Sequence, residues 1–117
     1  MIINKKLIDK IYKILEDRAT RYDTIYYGDL YKTLGLDCTN PKDRHLGSAL
    51  LEATNQISGK DYMISSFAIS KDGNGPYSGF FTLAERYGRI NHGISDNEKV
   101  NFWINEMKKV HGKYRKI

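Results

Sequence analysis

Between Tyr26 and Leu51 the chain reads YYGDLYKTLGLDCTNPKDRHLGSALL. Two helical segments separated by a turn are legible in it. Tyr27-Gly28-Asp29-Leu30 with Tyr31, Leu34 and Gly35 form a short helix, and Gly35 is placed to end it as a C-cap. Asp37 to Pro41 is a polar stretch rich in residues that favour turns. A second helix opens near Lys42 and Asp43, its inner face made by Leu46, Leu50 and Ala53 or Thr54. Short helix, turn and longer helix make a helix-turn-helix pattern. The turn is longer than in the tightest examples, so spacing alone does not make this pair a reader of DNA. Most such helix pairs bind nothing, and Arg44, His45 and Ser48 on the front of the second helix make this one more suggestive.

Working outward toward the N-terminus, Leu7, Ile8, Ile11, Ile14 and Leu15 fall on one stripe of helical period. Lys5, Lys6, Asp9, Lys10, Lys13, Glu16 and Asp17 cover the wet face, Tyr12 lies off the centre of the stripe, and Asn4 is placed to cap the helix. On the other side, Tyr62 to Leu83 reads YMISSFAISKDGNGPYSGFFTL. An apolar run predicts a strand, the glycine-rich Asp72-Gly73-Asn74-Gly75 predicts a turn, and Phe80, Phe81 and Leu83 predict a return segment. With the helix-turn-helix, a small hairpin or loop of this kind makes a winged helix. Farther on, Ser95-Asp96-Asn97-Glu98 is a capping box, followed by the apolar stripe Val100, Trp103, Ile104, Met107 and Val110. The expected fold is therefore α+β and a single domain over 1–117. An N-terminal helix occupies 1–24, a winged-helix core 25–90, a C-terminal helix 95–112 and a basic tail 113–117.

Composition narrows the function classes. At 117 residues the chain is long enough to bury a core without staples. No apolar run approaches the ~20 residues a membrane span needs. The N-terminus is no signal peptide, because charges recur throughout it. One cysteine, Cys38, rules out an internal disulfide and a multi-cysteine zinc site, and a cytoplasmic location is expected. His45, His92 and His111 are too scattered to predict a metal site, and no cofactor motif is present. The net charge is +5, and the final KKVHGKYRKI, Lys108 to Ile117, carries five Lys or Arg and no acid. That excess suits a polyanionic partner, and suits a solvated, frayed tail equally well.

Taken in order, YGDLYKTLG, RHLGSAL and ISSFAISKDGNGPYSGF resemble the DNA-binding domain of O6-alkylguanine-DNA alkyltransferases and alkyltransferase-like proteins. In that family a tyrosine begins the helix-turn-helix and Arg-Ala-Val-Gly marks the recognition helix. Pro-Cys-His-Arg-Val, a glycine turn and a Tyr-Ser-Gly-Gly loop follow. Tyr27 matches the tyrosine, Arg44-His45-Leu46-Gly47 the arginine segment, Asp72-Gly73 the turn and Tyr77-Ser78-Gly79 the loop. Leu83-Ala84-Glu85 is similar to the Leu and Glu beyond it, so the likeness runs from Ile25 to Glu85. It implies that Arg44 fills the space an extruded nucleotide leaves, that Tyr27 presses on the neighbouring phosphate, and that Tyr77 and Ser78 line the base pocket. With His45, Ser48 and Lys71 these make the expected DNA-contact set.

The departures bear on chemistry. Ser65 stands at the acceptor cysteine, Ser66 at its histidine and Phe67 at its arginine. Alkyl transfer needs a thiolate, and a serine hydroxyl is not appreciably ionised at neutral pH. The expectation is a non-catalytic protein with no cofactor, bound to duplex DNA and off the membrane. The alternatives are a protein-interaction module, a small inhibitor of a nucleic-acid-handling enzyme and, more remotely, a hydrolase in the remodelled pocket. If Asp29, Asp37, Asp43 and Glu52 flank Arg44, the surface is not a simple phosphate binder.

Overall fold

In a computed structural model, whose described residues are 5–58, 61–71, 75–76 and 78–115, the elements follow one another with short connections. Helix α1 runs Lys5–Arg21, strand β1 Ile25–Tyr26, α2 Tyr27–Thr33 and α3 Pro41–Ser58. A 3-10 turn at Ile64–Phe67 leads into β2, Ala68–Ile69, and then come α4, Ser78–Arg86, and α5, Asp96–Tyr114. The two strands pair in parallel, Ile25 opposite Ala68 and Tyr26 opposite Ile69. The class is α+β and mostly helical.

The stripe of α1 packs inward as its period dictates: Ile11, Leu15 and Ala19 are buried, with Leu7, Ile8 and Ile14 packed against them. Burying a side chain such as Ile11 or Leu15 contributes roughly 1.5–3 kcal/mol. These residues meet Leu30 and Leu34 of the α2 region, Leu50 and Leu51 of α3, Ile64 and Phe67 of the 3-10 turn, and Met107 and Val110 of α5. A second cluster joins Met63 to Phe80, Leu83 and Ala84 of α4, and Trp103 touches both clusters. Trp103 also donates its indole N–H to the Ser66 carbonyl at 2.8 Å, so the tryptophan is structural.

Four sequence expectations are corrected. The return segment at Phe80, Phe81 and Leu83 is helix α4, because Phe80, Leu83 and Ala84 bury one face at i, i+3 and i+4. Most of the predicted strand before it is the 3-10 turn, and the strand itself is Ala68–Ile69. The C-terminal helix continues beyond 112 to Tyr114, so Lys113 and Tyr114 belong to it rather than to a frayed tail. Tyr114 is held there by its neighbours. Its hydroxyl is hydrogen-bonded to those of Tyr12 and Tyr62, the latter at 2.6 Å, and Thr20 Oγ1 donates to its carbonyl at 3.3 Å. His111 Nδ1 donates to Ala19 O at 2.7 Å, a second tie between α5 and α1. The Ser95–Glu98 capping box forms as read, but Val100 is 43% exposed and the buried face turns to Glu106, Met107 and Val110. The Asn4 cap, the turn residues Asp72, Gly73 and Asn74, and the last two residues lie outside the described residues. Among the described residues no helix is long and apolar enough to cross a membrane.

Candidate nucleic-acid interface

The α2–turn–α3 corner is fixed by local hydrogen bonds. Gly35, at φ +76°, lets the chain reverse after α2. The Gly35 N–H then reaches Lys32 O at 3.1 Å and the Leu36 N–H reaches Tyr31 O at 2.8 Å, a Schellman close. Asn40 caps α3 by accepting from the N–H groups of Lys42 at 2.9 Å and Asp43 at 3.2 Å, with Pro41 at the first helical position. Across the corner, Gly47 lies so close to Tyr31 that a Cβ there would collide with the phenol ring. The Tyr31 hydroxyl donates to Arg44 O at 3.2 Å, tying α2 to the first turn of α3.

This packing leaves an outer hollow of about 500 Å³ on the front of the corner, lined by Tyr27, Tyr31, Cys38, Pro41, Arg44, His45 and Ser48. Arg44 and His45 are exposed, and Tyr27, at the start of α2, is half-buried. Among the described residues no acid lines the hollow and no carboxylate pairs with Arg44. The four acids are occupied or set aside. Asp43 accepts from the Asp37 N–H at 2.8 Å, within the turn. Asp37 accepts from the Thr39 hydroxyl at 2.7 Å and its N–H at 2.9 Å, which hold the Asp37 carboxyl below its ordinary range. Glu52 is ion-paired with Arg86, and Asp29 lies in the first turn of α2, where the helix dipole favours a carboxylate.

An inner cavity of about 180 Å³ opens farther along α3, lined among others by Ser48, Glu52, Asn55, Ser65, Ser78 and Arg86. Ser65 is 5% exposed. Its hydroxyl accepts from Asn55 Nδ2 at 2.7 Å while its N–H donates to Asn55 Oδ1 at 3.0 Å. An amide donor on a serine oxygen makes it a poorer nucleophile, and no histidine lines the cavity to take its proton. Ser66 and Phe67, at the positions of the family's histidine and arginine, are fully buried.

Of the expected contact set, the structure brings Tyr27, Arg44, His45 and Ser48 together around the outer hollow, and Ser48 and Ser78 around the inner cavity. Lys71 is exposed in the turn after β2 and lines neither. Tyr77 lies outside the described residues. Asn55 was missed, although an amide among the apolar residues of α3 was a signal. Glu106 was missed too. It is 2% exposed, accepts from the Met63 N–H at 2.7 Å, and takes both Arg89 nitrogens at 2.9 and 2.7 Å. That clamp fixes the chain entering the 3-10 turn, and so the level of Ser65. Among the described residues no three or more His, Cys, Asp and Glu side chains group as a metal site would. In comparisons with known proteins, no family model, curated protein or solved structure matches the chain.

Proposed function

We propose that this chain is a non-catalytic DNA-binding protein of the alkyltransferase-like, winged-helix type, reading duplex DNA with α2 and α3 and accepting an extruded or altered base in the inner cavity. One observation carries the reading. Exposed Arg44, with no ion pair among the described residues, stands at the rim of a hollow that no described acid lines, and Ser48 joins that hollow to a small polar cavity lined by Ser65. The cavity's about 180 Å³ is below the ~300 Å³ at which ordinary ligand pockets begin, which suits one flat ring system. Flipping a base requires a few kcal/mol, and a stacking guanidinium with pocket contacts is the means of offsetting it. The Asn55 bond to Ser65 supports binding without chemistry.

Anisotropy titration of labelled duplex at two salt concentrations tests this. Binding that weakens linearly in log affinity against log salt is expected. Absence of binding at low salt overturns the reading and favours a protein partner for the same hollow.

A further inference from the structure

The two hollows lie in series along one helix. Arg44 and His45 mark the outer one, Leu51 and Glu52 the inner one, and Ser48 lines both. From 44 or 45 to 51 or 52 is seven residues of α3. Seven residues are close to two full turns, so the two sets share a face, separated by roughly 11 Å at 1.5 Å per residue. Neighbouring bases in a stacked strand are only about 3.4 Å apart. Adjacent stacked bases therefore cannot fill both hollows.

The geometry points to an unpaired, unstacked polynucleotide strand as the ligand of this face, with two nearby bases seated at once, one in each hollow. The inference rests on the nucleic-acid reading above and extends it from one extruded base to a stretched strand. The outer hollow has the parts for a base against aromatic and guanidinium planes: Tyr27, Tyr31 and Arg44. The inner cavity has polar edges instead, with Asn55, Ser65, Ser78 and the Glu52–Arg86 pair. Stacking in one seat and edge contacts in the other differ in kind, so the seats are not copies of one another. The exposed Lys42 and Arg44 in the first turn of α3 stand at the outer end of the track, where the strand's phosphates need cations.

The test is a length series of deoxyribonucleotides, from mononucleotide to tetranucleotide, competing against a fluorescent oligonucleotide. Linked occupation of two sites raises affinity by about 10²–10⁴ without new kinds of contact. A rise of roughly 100-fold or more is expected between the mononucleotide and the trinucleotide, with little added by the fourth unit. Arg44→Ala at the outer hollow and Ser78→Trp at the inner one both alter exposed side chains, and thermal melts check that the fold persists. Each alone should return the trinucleotide to near mononucleotide affinity. Equal increments per nucleotide, or an unchanged length profile in both variants, would overturn two-base seating. If the length profile fails while duplex is still bound under those same conditions, only this inference fails; if neither strand nor duplex binds, the nucleic-acid reading fails with it.

Discussion

At the scale of single residues, the site rests on side chains whose neighbours leave them little choice. Gly47 is the strictest case, because Tyr31 occupies the space of its missing Cβ. Gly47→Ala should push the Tyr31 ring outward, break its bond to Arg44 O and lower stability by about 1–3 kcal/mol, as overpacking does. Chemical denaturation measures the loss. A variant as stable as the parent would mean the corner is looser than described. Ser65 decides the chemistry in the same local way. Incubation with O6-methylguanine DNA should leave both the methyl group and the protein mass unchanged, because the Ser65 hydroxyl is held by Asn55 with no histidine lining its cavity. A stoichiometric mass gain on any side chain would contradict this.

Elements were legible where one face is apolar and the caps are local. The stripe of α1, the Gly35 stop of α2 and the Ser95–Glu98 box of α5 all form as read. The return segment was misread because Phe80 and Phe81 favour strands, and the glycines before them looked like a hairpin turn. The signal against a strand was Phe80, Leu83 and Ala84 at helical spacing. Glu106 could not be read at all, since its partner Arg89 lies in the loop before α5 and nothing local marks the pair. Removing the charge by Glu106→Gln takes a buried carboxylate, with both of its bonds, away from the Arg89 guanidinium, only 18% exposed. A loss of roughly 3 kcal/mol is expected, as for other broken buried pairs. At the α1–α5 contact, burial raises the Tyr12 and Tyr114 phenols above their ordinary 10, and for Tyr114 the bonds to Tyr12 and Tyr62 raise it further. The unfolded chain would release those protons near 10, so the stability they confer is complete below that pH and is lost as pH rises through the folded values. An ultraviolet titration should find late ionisation at Tyr12, Tyr114 and Tyr87, the last raised by its own burial, and Tyr114→Phe should shrink the late step while leaving Tyr87 in it. Simultaneous ionisation of every tyrosine near 10 would dissolve the cluster.

For the whole molecule, the basic C-terminal segment both anchors α5 and carries exposed cations, and a truncation would confuse the two. Tyr114 and His111 dock α5 on α1, and Lys109 Nζ donates to Asp61 O at 2.9 Å. Lys108, Lys113 and Arg115 are exposed and make no ion pair among the described residues. Neutralising those three with glutamine, rather than deleting them, isolates their charge. If they contact phosphates, each removes about 0.9 from the slope of log affinity on log salt for duplex DNA. An unchanged slope assigns them to solvent.

The central claim is that α3 carries a residue that enters the base stack while the cavity beside it takes the displaced base. Arg44→Ala, titrated by anisotropy against an intact duplex and the same duplex with one abasic site, tests it most directly. Arg44 is exposed, so its removal should leave the fold intact. The predicted result is a loss on intact DNA larger than one phosphate contact explains, shrinking on the abasic duplex, where less unstacking is required. Arg44→Lys should not rescue it, because an ammonium lacks the planar group that stacks. An equal loss on both duplexes would contradict base extrusion and reduce Arg44 to a groove or backbone contact.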